Sequence, residues 1–492
     1  MRIAIPKSSS LARAGAALLA SMLAACAPAA DLKEADELNA AASPALESSQ
    51  GTLSAQHSRR ILEALSRQAG VNQFLLRHVA VEEAYTDSPL VTGNRVTLLR
   101  DGAQTYRAMD EAMRGARHHI NVEVYTFADD QAGREIASTL VERLRAGVEV
   151  NVIYDSVGCI GTSPEFLDGL RREGARLLEY HPVSPASVRD EWKLDHRDHR
   201  KLLIVDNRVA FTGGINIADD YSGGSFRSGG GSSSGQSSGG STSMSAAATS
   251  RGESDGSRPS PKEAWRDTHV RIEGPVVAEF QKLFREQWEK ENGEAVNWDG
   301  GYFADTASAG DQIVRAIGST PDDEVSIIHT TFLSAIRRAE KSIFITQAYF
   351  VPDQELVDQV KEAARRGVDV QMILPGEGGF WMTRFAGRSH FRDLLEAGVK
   401  LFERTGPMLH AKTAVIDGVW STVGSTNFDW RSLAKNDEIN AVVLGESFAA
   451  ELEAMFRDDL AQSVEITLHD WKRRGPTTRI KEFSARIWER LL

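Results

Sequence analysis

Cysteine is almost absent from this chain. Cys26 and Cys159 are the two present among 492 residues, which argues against a disulfide framework, although an exported compartment would permit one bridge. Long apolar runs are also missing beyond the first 25 residues, so no later segment is expected to span a bilayer. The hydrophobic content of 41% is nevertheless sufficient for a sizeable buried core. We therefore expect a large globular protein that is held together by packing.

An excess of positive charge is lacking as well. The chain has 57 Lys and Arg against 69 Asp and Glu, which is a formal net charge of −12. This balance argues against bulk electrostatic attraction to nucleic acid or to an anionic membrane, although a local cationic site can lie on an acidic protein. Stripes of interleaved basic and aromatic residues are not evident in the sequence either. No nucleic-acid partner is expected.

The N-terminus has the features of an export signal. A positively charged start precedes an apolar stretch over 14–25, which is too short to span a bilayer as a mature helix. The stretch ends in Leu-Ala-Ala-Cys, which resembles a bacterial lipobox with cleavage before Cys26 and lipid attached to its sulfur. We predict a lipoprotein-type signal peptide over 1–25 and a lipid-anchored protein in a bacterial cell envelope, on the periplasmic face of the inner or outer membrane. The alternatives are an ordinary secretory signal in which Cys26 is incidental, or an uncleaved anchor.

One sequence pattern occurs twice. Residues 199–216 read HRKLLIVDNRVAFTGGIN, and residues 410–427 read HAKTAVIDGVWSTVGSTN. Each copy has the spacing H-x-K-x-x-x-x-D, followed by a Gly-Gly or Gly-Ser pair and an Asn at the same offset. In a strand, the His and the Lys would share one face, and the apolar run after them is typical of a strand buried on both faces. Because one copy is already rare by chance, two copies with matching tails indicate a duplicated functional unit.

The flanking sequence repeats the same order of elements. In each half, strands alternate with helices, and glycines mark helix ends at Gly147 and Gly367. This order predicts an α/β fold with a parallel-rich sheet, built as two duplicated lobes that share one site at their interface. The predicted segments are a tether and N-terminal helical segment over 26–90, a first lobe over 91–300 with a flexible Ser/Gly-rich insert over 222–261, a second lobe over 301–470 and a basic amphipathic tail over 471–492.

The paired residue types are suited to phosphoryl chemistry. One histidine can attack phosphorus while the other protonates the departing oxygen, and lysines can neutralise the non-bridging oxygens. Asn216 and Asn427 would donate hydrogen bonds to the same oxygens. Asp267 and Glu438 occupy matched strand positions and would orient the imidazoles, with Asp267 assigned to His199; an ordinary strand salt bridge is the alternative. Metal-ligand spacing and a nucleotide-phosphate loop are not evident, so no metal and no other cofactor is expected.

The paired motifs resemble those of the phospholipase D superfamily. The flanks DHRKLLIVDNRVAFTGGIN, WRDTHVRIEGPVV, MLHAKTAVIDGVWSTVGSTNFDWRS and NDEINAVV are similar, more narrowly, to those of bacterial cardiolipin synthases. The resemblance implies two phospholipase D-like α/β/α lobes packed about a pseudo-twofold axis, a phosphohistidine intermediate and transfer of a phosphatidyl group. It implies His199 as nucleophile and His410 as acid and then base, although the reverse assignment stays open. The catalytic residues that it implies are His199, Lys201, Asp206, His410, Lys412 and Asp417.

The predicted reaction is the formation of cardiolipin and glycerol from two molecules of phosphatidylglycerol at a membrane surface. Three alternatives stay open: a phospholipase D hydrolase that releases phosphatidic acid, a nuclease of the same superfamily, and a non-catalytic lipid-binding lipoprotein. The acidic charge balance argues against the nuclease. The intact motif residues argue against the non-catalytic protein. The lipoprotein-like signal and the long Ser/Gly insert depart from typical cardiolipin synthases, which begin with transmembrane helices, and they leave the membrane geometry and the acceptor open.

Four matched residues have two interpretations. Asp206 and Asp417 follow buried strands at turns, where an aspartate is more often a structural pairing residue than a chemical participant. Tyr125 and Tyr349 occupy matched strand positions, where core packing is favoured over lining of a pocket. Structure is needed to separate these interpretations.

Two further stretches have features that suit contact with lipid. Phe380, Trp381, Met382 and Phe385 form an apolar cluster in a Gly-flanked segment, which is either an acyl-chain entrance or buried packing. The tail over 471–492 combines basic and apolar residues at helical spacing. It either docks on anionic headgroups or packs on its own domain with a solvated basic face.

Overall fold

The structure is a computed structural model. The predicted signal peptide, Cys26 and the Ser/Gly insert beyond Ser222 lie outside the described residues. Within the described part of the chain, no helix is both long enough and apolar enough to cross a membrane. The described residues are 44–183, 196–222, 263–376 and 381–487.

Strands run through both halves of the described chain. In chain order they are β1 (Leu46–Ser48), β2 (Gly51–Thr52), β3 (Leu90–Leu99), β4 (His119–Val124), β5 (Glu149–Asp155), β6 (Arg176–Tyr180), β7 (Lys201–Val205), β8 (Val209–Gly213), β9 (His269–Glu273), β10 (Gln312–Ser319), β11 (Ser342–Gln347), β12 (Phe350–Val351), β13 (Asp369–Pro375), β14 (Lys400–Arg404), β15 (Lys412–Ile416), β16 (Trp420–Gly424), β17 (Phe428–Asp429), β18 (Glu438–Leu444) and β19 (Ser463–Ile466).

Helices alternate with these strands, as the sequence predicts for an α/β fold. In chain order they are α1 (Ala55–Gln68), α2 (Phe74–Tyr85), α3 (Gly102–Arg114), α4 (Gln131–Arg145), α5 (Pro164–Arg172), α6 (Asp219–Ser222), α7 (Val277–Lys290), α8 (Ile327–Arg338), α9 (Gln354–Arg365), α10 (Trp381–Arg388), α11 (Phe391–Glu396), α12 (Trp430–Ala434), α13 (Glu446–Leu460), α14 (Leu468–Arg473) and α15 (Pro476–Ile487).

Local sequence explains where several of these helices begin and end. The side chains of Asp101 and Asp353 each accept a hydrogen bond from a backbone N–H in the first turn of α3 and α9. They thereby satisfy donors that have no partner within the helix. Gly147 and Gly367 follow α4 and α9 with φ of 88° and 94°, a left-handed conformation that favours glycine. The predicted glycine stops are therefore confirmed.

The same strand order occurs in each half. In the first half, β6, β5 and β4 pair in parallel, and β7, β8, β9 and β3 continue the sheet in antiparallel pairs. In the second half, β14, β13 and β11 pair in parallel, and β15, β16, β18 and β10 continue it in the same way. An antiparallel pairing of β3 with β10 joins the two half-sheets. The predicted duplicated α/β architecture is thus present.

A shared hydrophobic core holds the two halves together. It contains Leu202 and Ile204 from β7 with Val415 from β15 and Val423 from β16. Every residue of β7 and of β15 is buried, as the apolar runs after each motif predicted. The burial of both motif strands in one core brings the two motifs to the same interface.

The helical segment before the first half packs on the second half. Leu62 of α1 and Phe74 of α2 lie in one core cluster with Phe332 and Trp420. α2 also buries Glu82, and it therefore needs compensating polar partners in the interior. His78 and Arg315 provide them: the His78 Nε2 lies 3.0 Å and the Arg315 Nη1 3.7 Å from the carboxylate.

Candidate active site

Each repeated motif forms a β-hairpin whose polar residues lie at one end. His199 lies two residues before Lys201, the first residue of β7, and Asn216 follows the return strand β8. His410 and Lys412 hold the same places at β15, with Asn427 after β16. All of these side chains are buried except that of His199, which is only 12% exposed. The structure therefore brings together the histidines, lysines and asparagines that the sequence singled out.

The two histidines are paired with carboxylates across the interface between halves. The Nδ1 of His199 lies 2.9 Å and 3.1 Å from the two carboxylate oxygens of Glu438. The Nδ1 of His410 lies 2.7 Å from the Oδ2 of Asp267. Asp267 and Glu438 thus lie in contact with the imidazoles, where they are able to orient them, but the assignment of Asp267 to His199 is wrong. Each histidine takes its acid from the opposite half.

Backbone hydrogen bonds explain this crossed arrangement. The His199 N–H donates to the carbonyl of Asp437, the residue before Glu438, at 2.9 Å. In the mirrored contact, the His410 N–H donates to the carbonyl of Arg266, the residue before Asp267, at 2.7 Å. Each motif strand is therefore bridged at its start to the acid-bearing strand of the other half. Sequence alignment of the halves cannot reveal a contact that exists between them.

Small residues after each motif leave room for the acids. A Cβ added to Gly214 would lie 2.2 Å from the Oδ1 of Asp267, so a larger residue would displace that carboxylate. The matched position in the second half is Ser425, whose hydroxyl donates a hydrogen bond to Glu438. The Gly-Gly and Gly-Ser pairs of the motifs therefore position the acid of their own half, which then reaches the histidine of the other half.

Burial keeps both histidines neutral in the absence of substrate. Burial and the charge of the adjacent lysines together lower the pKa of His199 and of His410 to about 4, against the opposing effect of the carboxylates. Burial raises the pKa of Glu438 and of Asp267, but the neighbouring histidine and lysine, with further hydrogen bonds, more than offset this and leave the pKa of each acid below its usual range. Near pH 7, the Nδ1–H of each neutral ring therefore donates to an ionised carboxylate, and Nε2 keeps its lone pair.

The two lysines lie beside their own histidines. The Nζ of Lys201 donates to the carbonyl of His199 at 2.7 Å. The Nζ of Lys412 lies 3.0 Å and 3.1 Å from the two ring nitrogens of His410. Burial lowers the pKa of Lys201 to about 7 and of Lys412 to about 8. A phosphodiester bound between them would stabilise their ammonium forms, because an adjacent anion favours the charged state.

A cavity of about 480 Å³ lies between the halves and exposes both histidines. Asn216 is held in it by hydrogen bonds from its Nδ2 to Tyr221 and to its Oδ1 from the Thr126 N–H. The Asn427 Oδ1 has no hydrogen-bond partner among the described residues. The residues that line the cavity are Tyr125, Thr126, Val157, Arg197, His199, Asn216, Ala218, Asp220, Tyr221, Trp265, Tyr349, Thr383, His410, Asn427, Asp429, Arg431, Ser432 and Asn436.

Asp206 and Asp417 do not reach this cavity. Each follows the far end of its motif strand at a turn residue with φ of 55°, and its carboxylate accepts three backbone N–H groups of its own half. Their position therefore does not support the prediction that these two aspartates are catalytic. It agrees with the alternative that each is a structural pairing residue. The donors are Arg117, His118 and His119 for Asp206, and Glu340, Lys341 and Ser342 for Asp417.

Several aromatic residues line the cavity. Tyr125 and Tyr349 line the cavity, so the preference for core packing was wrong. Trp265 and Tyr221 also contact the site, with ring centroids 5.4 Å and 5.7 Å from that of His410. A signal for Trp265 existed, because strand alternation places it on the same face as an acid two residues later. Tyr221 carried no comparable signal.

The described part of the tail packs on its own domain. In α15, Glu482 accepts a hydrogen bond from Arg474 at 2.8 Å, and the Nζ of Lys481 lies 5.5 Å from the ring centroid of Phe385 in α10. The apolar cluster is only partly buried, since Trp381 is 57% exposed. Phe380 lies outside the described residues. Thus α10 and α15 form one unit beside the cavity, which Thr383 of α10 lines.

The sequence of this chain is similar to those of known proteins. The family described as "Cardiolipin synthase, PLD-like domain" matches residues 109–223 and 332–460. "Cardiolipin synthase" of Halalkalibacterium halodurans is 30% identical over 87% of this chain and 78% of its own length. "Cardiolipin synthase 2" of Bacillus cereus is 31% identical over 80% of this chain and 70% of its own length.

A solved structure supports the fold independently of sequence. Phosphatidylserine synthase of Haemophilus influenzae Rd KW20 superposes with a TM-score of 0.58 at 12% identity, covering 84% of this chain and 99% of its own. At that identity the likeness establishes the fold alone. The predicted phospholipase D-like lobes are confirmed, and the chain belongs to the cardiolipin synthase family of phospholipase D-like proteins.

Proposed function

We propose that this protein is a phosphatidyltransferase that forms cardiolipin and glycerol from two molecules of phosphatidylglycerol. The observation that carries the proposal is the crossed pair of His–carboxylate contacts, His199 with Glu438 and His410 with Asp267, at one cavity. Two neutral imidazoles with their Nδ1 atoms bound leave two Nε2 atoms for chemistry on a shared phosphorus. Membership of the cardiolipin synthase family supports the choice of substrate.

The first half-reaction forms a phosphohistidine. The Nε2 of His199 attacks the phosphorus of the donor, a P–N bond forms, and the bond from phosphorus to the glycerol headgroup oxygen breaks. Binding of the anionic diester raises the proton affinity of His410, which therefore becomes protonated. His410 then transfers this proton to the departing alkoxide, so glycerol leaves as a neutral molecule. Glu438 stabilises the cationic ring of the phosphohistidine. Lys201 and Lys412 neutralise the charge that develops on the non-bridging oxygens.

The second half-reaction reverses these steps with a new alcohol. His410, now neutral, accepts the proton of the glycerol hydroxyl of a second phosphatidylglycerol. That oxygen attacks phosphorus, the P–N bond to His199 breaks, and cardiolipin is released. Water in place of the second lipid gives phosphatidic acid, so the acceptor alone separates a synthase from a hydrolase. The exchange of roles between the two histidines leaves the atom balance unchanged.

The reaction is tested with purified protein and phosphatidylglycerol vesicles in the presence of a chelator. Cardiolipin and glycerol are expected in equal amounts. Phosphatidic acid as the sole lipid product would replace the synthase with a hydrolase. Cleavage of DNA without action on lipid would replace both with a nuclease, and no turnover of either would favour a lipid-binding protein. A phosphohistidine is hydrolysed in acid, so the reaction is quenched with alkali during turnover. Mass analysis that finds the phosphatidyl group on the peptide containing His199 would identify this histidine as the nucleophile.

We also propose that lipid attached to Cys26 anchors the protein at the periplasmic face of a bacterial envelope membrane. The lipobox-like sequence before this cysteine supports the proposal. Growth with radiolabelled palmitate should label the wild-type protein and not the Cys26→Ser variant. Export of an unlabelled wild-type protein would contradict lipid anchoring and leave an ordinary secretory signal.

A further inference from the structure

The cavity is symmetric in its reacting groups and asymmetric in its charge. Counting four residues past each motif asparagine leads to Asp220 in the first half and to Arg431 in the second. Both residues line the cavity. At this matched pair, therefore, one half presents a carboxylate and the other a guanidinium to the same space.

Arg431 interacts electrostatically with Asp429, whose pKa it lowers against the effect of burial, but it makes no closer contact with an acid of the described residues. Its guanidinium makes no hydrogen bond or ion pair to any residue in the described ranges. By contrast, Lys201 and Lys412 donate to the carbonyls of their histidines, and the Nη1 of Arg197 lies 3.7 Å from the carboxylate of Asp155. An arginine at a cavity wall that is not hydrogen-bonded to an acid is available to an anionic ligand, because its planar fork matches phosphate oxygens.

Transfer to a second phospholipid creates a need for such a cation. In the proposed reaction the donor phosphate occupies the two lysines, and the buried carboxylates of Glu438 and Asp267 add negative charge behind the histidines. Asp429 adds a further acid at the wall, with its pKa raised by burial to about 6. A second phosphodiester would be repelled by these anions unless a cation compensates its charge, whereas water needs no compensation. The cavity of about 480 Å³ lies in the range that accommodates an extended ligand.

We propose that Arg431 binds the phosphate of the acceptor phospholipid and thereby selects a lipid alcohol over water. The proposal rests on the proposed phosphatidyltransferase function. Arg431 contacts the substrate in this role but does not touch the reacting phosphorus, so it determines acceptor specificity and not the chemistry of the phosphohistidine.

The test compares three acceptors in Arg431→Gln. With phosphatidylglycerol as donor and acceptor, we expect cardiolipin formation to fall at least tenfold, about 1.4 kcal/mol. Formation of phosphatidic acid with water, and of phosphatidylethanol when ethanol is added, should keep wild-type rates. Arg431→Lys should restore part of the cardiolipin, and Asp220→Asn should shift the product ratio in the opposite direction. Arg365→Gln, which changes an exposed arginine of α9, is the matched control.

The outcomes separate this inference from the proposed function. A wild-type protein that makes no cardiolipin overturns both. A wild-type protein that makes cardiolipin, with an Arg431→Gln variant of unchanged product ratio, overturns the role of Arg431 alone. An equal loss of activity with all three acceptors would mean that Arg431 maintains the structure of the site, and this result would also overturn the inference.

The rim of the cavity has exposed apolar side chains from both halves. The segments that follow the matched strands β5 and β13 both line it, through Val157 and Thr383. The same two segments carry Ile160, which is 81% exposed, and Trp381, which is 57% exposed. These are among the few large apolar side chains that are solvent-exposed in the described part of the chain. Two apolar residues thus project from the segments that flank the cavity, one from each half.

Positive charge accompanies the apolar rim on the side of α10. α15 packs against α10, and exposed Lys472, Arg473, Lys481 and Arg486 lie on α14 and α15. Of the acids in this stretch, Glu482 is buried and bound to Arg474, while the exposed Asp470 interacts with His469. In a chain of net charge −12, this is a local cationic surface next to an apolar one.

We infer that this rim is the surface that docks on an anionic bilayer, with the cavity opening toward the lipid. Apolar side chains inserted at the interface and cations next to anionic headgroups are the two contributions that hold a protein on a membrane surface. The cationic side chains of α14 and α15 favour a lipid surface over a second copy of this acidic chain.

Spin labels on the full-length protein test which face meets the bilayer, whether or not a lipid anchor is attached. Labels at Ile160→Cys and Trp381→Cys should gain accessibility to oxygen and lose accessibility to a water-soluble nickel chelate when phosphatidylglycerol vesicles are added. A label at Val464→Cys, which is 57% exposed on β19, should not change. Labels that stay water-accessible at the rim, an equal change at all three sites, or protection that depends on protein concentration without vesicles would each overturn the inference.

Discussion

His199 and His410 occupy matched positions, but their surroundings differ. Trp265, Tyr221 and Tyr349 pack around His410 with ring centroids 5.4 Å, 5.7 Å and 6.1 Å away. The first-half histidine has one such neighbour, Tyr125 at 5.2 Å, within the described residues, and it is 12% exposed against 6% for His410.

The difference follows from changes at matched positions. Where the first half has Tyr221 and Trp265, the second half has Ser432 and Asn436, and all four line the cavity. Each acid contacts the histidine of the other half, and residues close to that acid in the chain therefore also lie near this histidine. Duplication thus preserved the reacting groups, while substitutions around them made one side aromatic and the other polar. A site with two equivalent acid–base residues can in this way present different surfaces to a donor and to an acceptor.

The largest effect is expected from removing either histidine. His199→Ala and His410→Ala should each lower cardiolipin formation by a factor on the order of 10³ or more, because neither half holds a complete set of reacting groups. Lipid product analysis measures the loss, and His469→Ala, at an exposed residue of α14, is the control. A wild-type rate in either variant would mean that the halves work as separate sites.

The crossed pairing predicts a smaller, half-specific effect of the acids. Glu438→Gln should reduce activity on the order of 10²-fold by weakening the hydrogen bond to His199, and Asp267→Asn should do the same through His410. In NMR spectra, the first substitution should move the Nδ1–H resonance of His199 alone, and the second that of His410 alone. The opposite correspondence would contradict the crossed geometry.

The two structural aspartates should differ in their effect on stability. Asp417 is 3% exposed, whereas Asp206 is only half-buried, although each accepts three backbone N–H groups. Asp417→Ala should therefore lower the free energy of unfolding by about 2–4 kcal/mol, and Asp206→Ala by less. Chemical denaturation measures both, with the exposed Asp168→Ala as control. A variant that loses activity but keeps wild-type stability would show that its aspartate has a catalytic role.

The smallest expected effect is a change in how stability depends on pH. Both histidines have a folded pKa of about 4 against an ordinary value of 6.5, so between these values the unfolded chain binds more protons than the folded one. Stability should therefore fall as the pH is lowered from 6.5 toward 4. His199→Asn and His410→Asn should each flatten this part of the curve by a similar amount in thermal unfolding. An unchanged slope in one variant would show that its histidine is not buried as a neutral ring.

Much of the site was predictable because it is encoded by spacing. The alternation of His199 and Lys201 before an apolar run defines both a strand and the face of its polar residues. The same pattern at His410 and Lys412 identifies a duplication without any knowledge of the fold. The glycine stops and the alternation of strands and helices predict the α/β order for the same reason, since they depend on local backbone geometry.

Only tertiary structure could decide which groups meet. The partner of His199 is Glu438 and not Asp267, because the bridge from His199 to Asp437 lies between halves and has no local signal. Likewise, the carboxylate of Asp206 turns to backbone donors at the far end of its strand, a contact that sequence spacing does not encode. The sequence by itself determined the identity, number and strand position of the reacting residues. Their pairing, their neutral state and the charge asymmetry of the cavity arise from packing two similar halves face to face, which removes water and brings groups distant in the chain into contact.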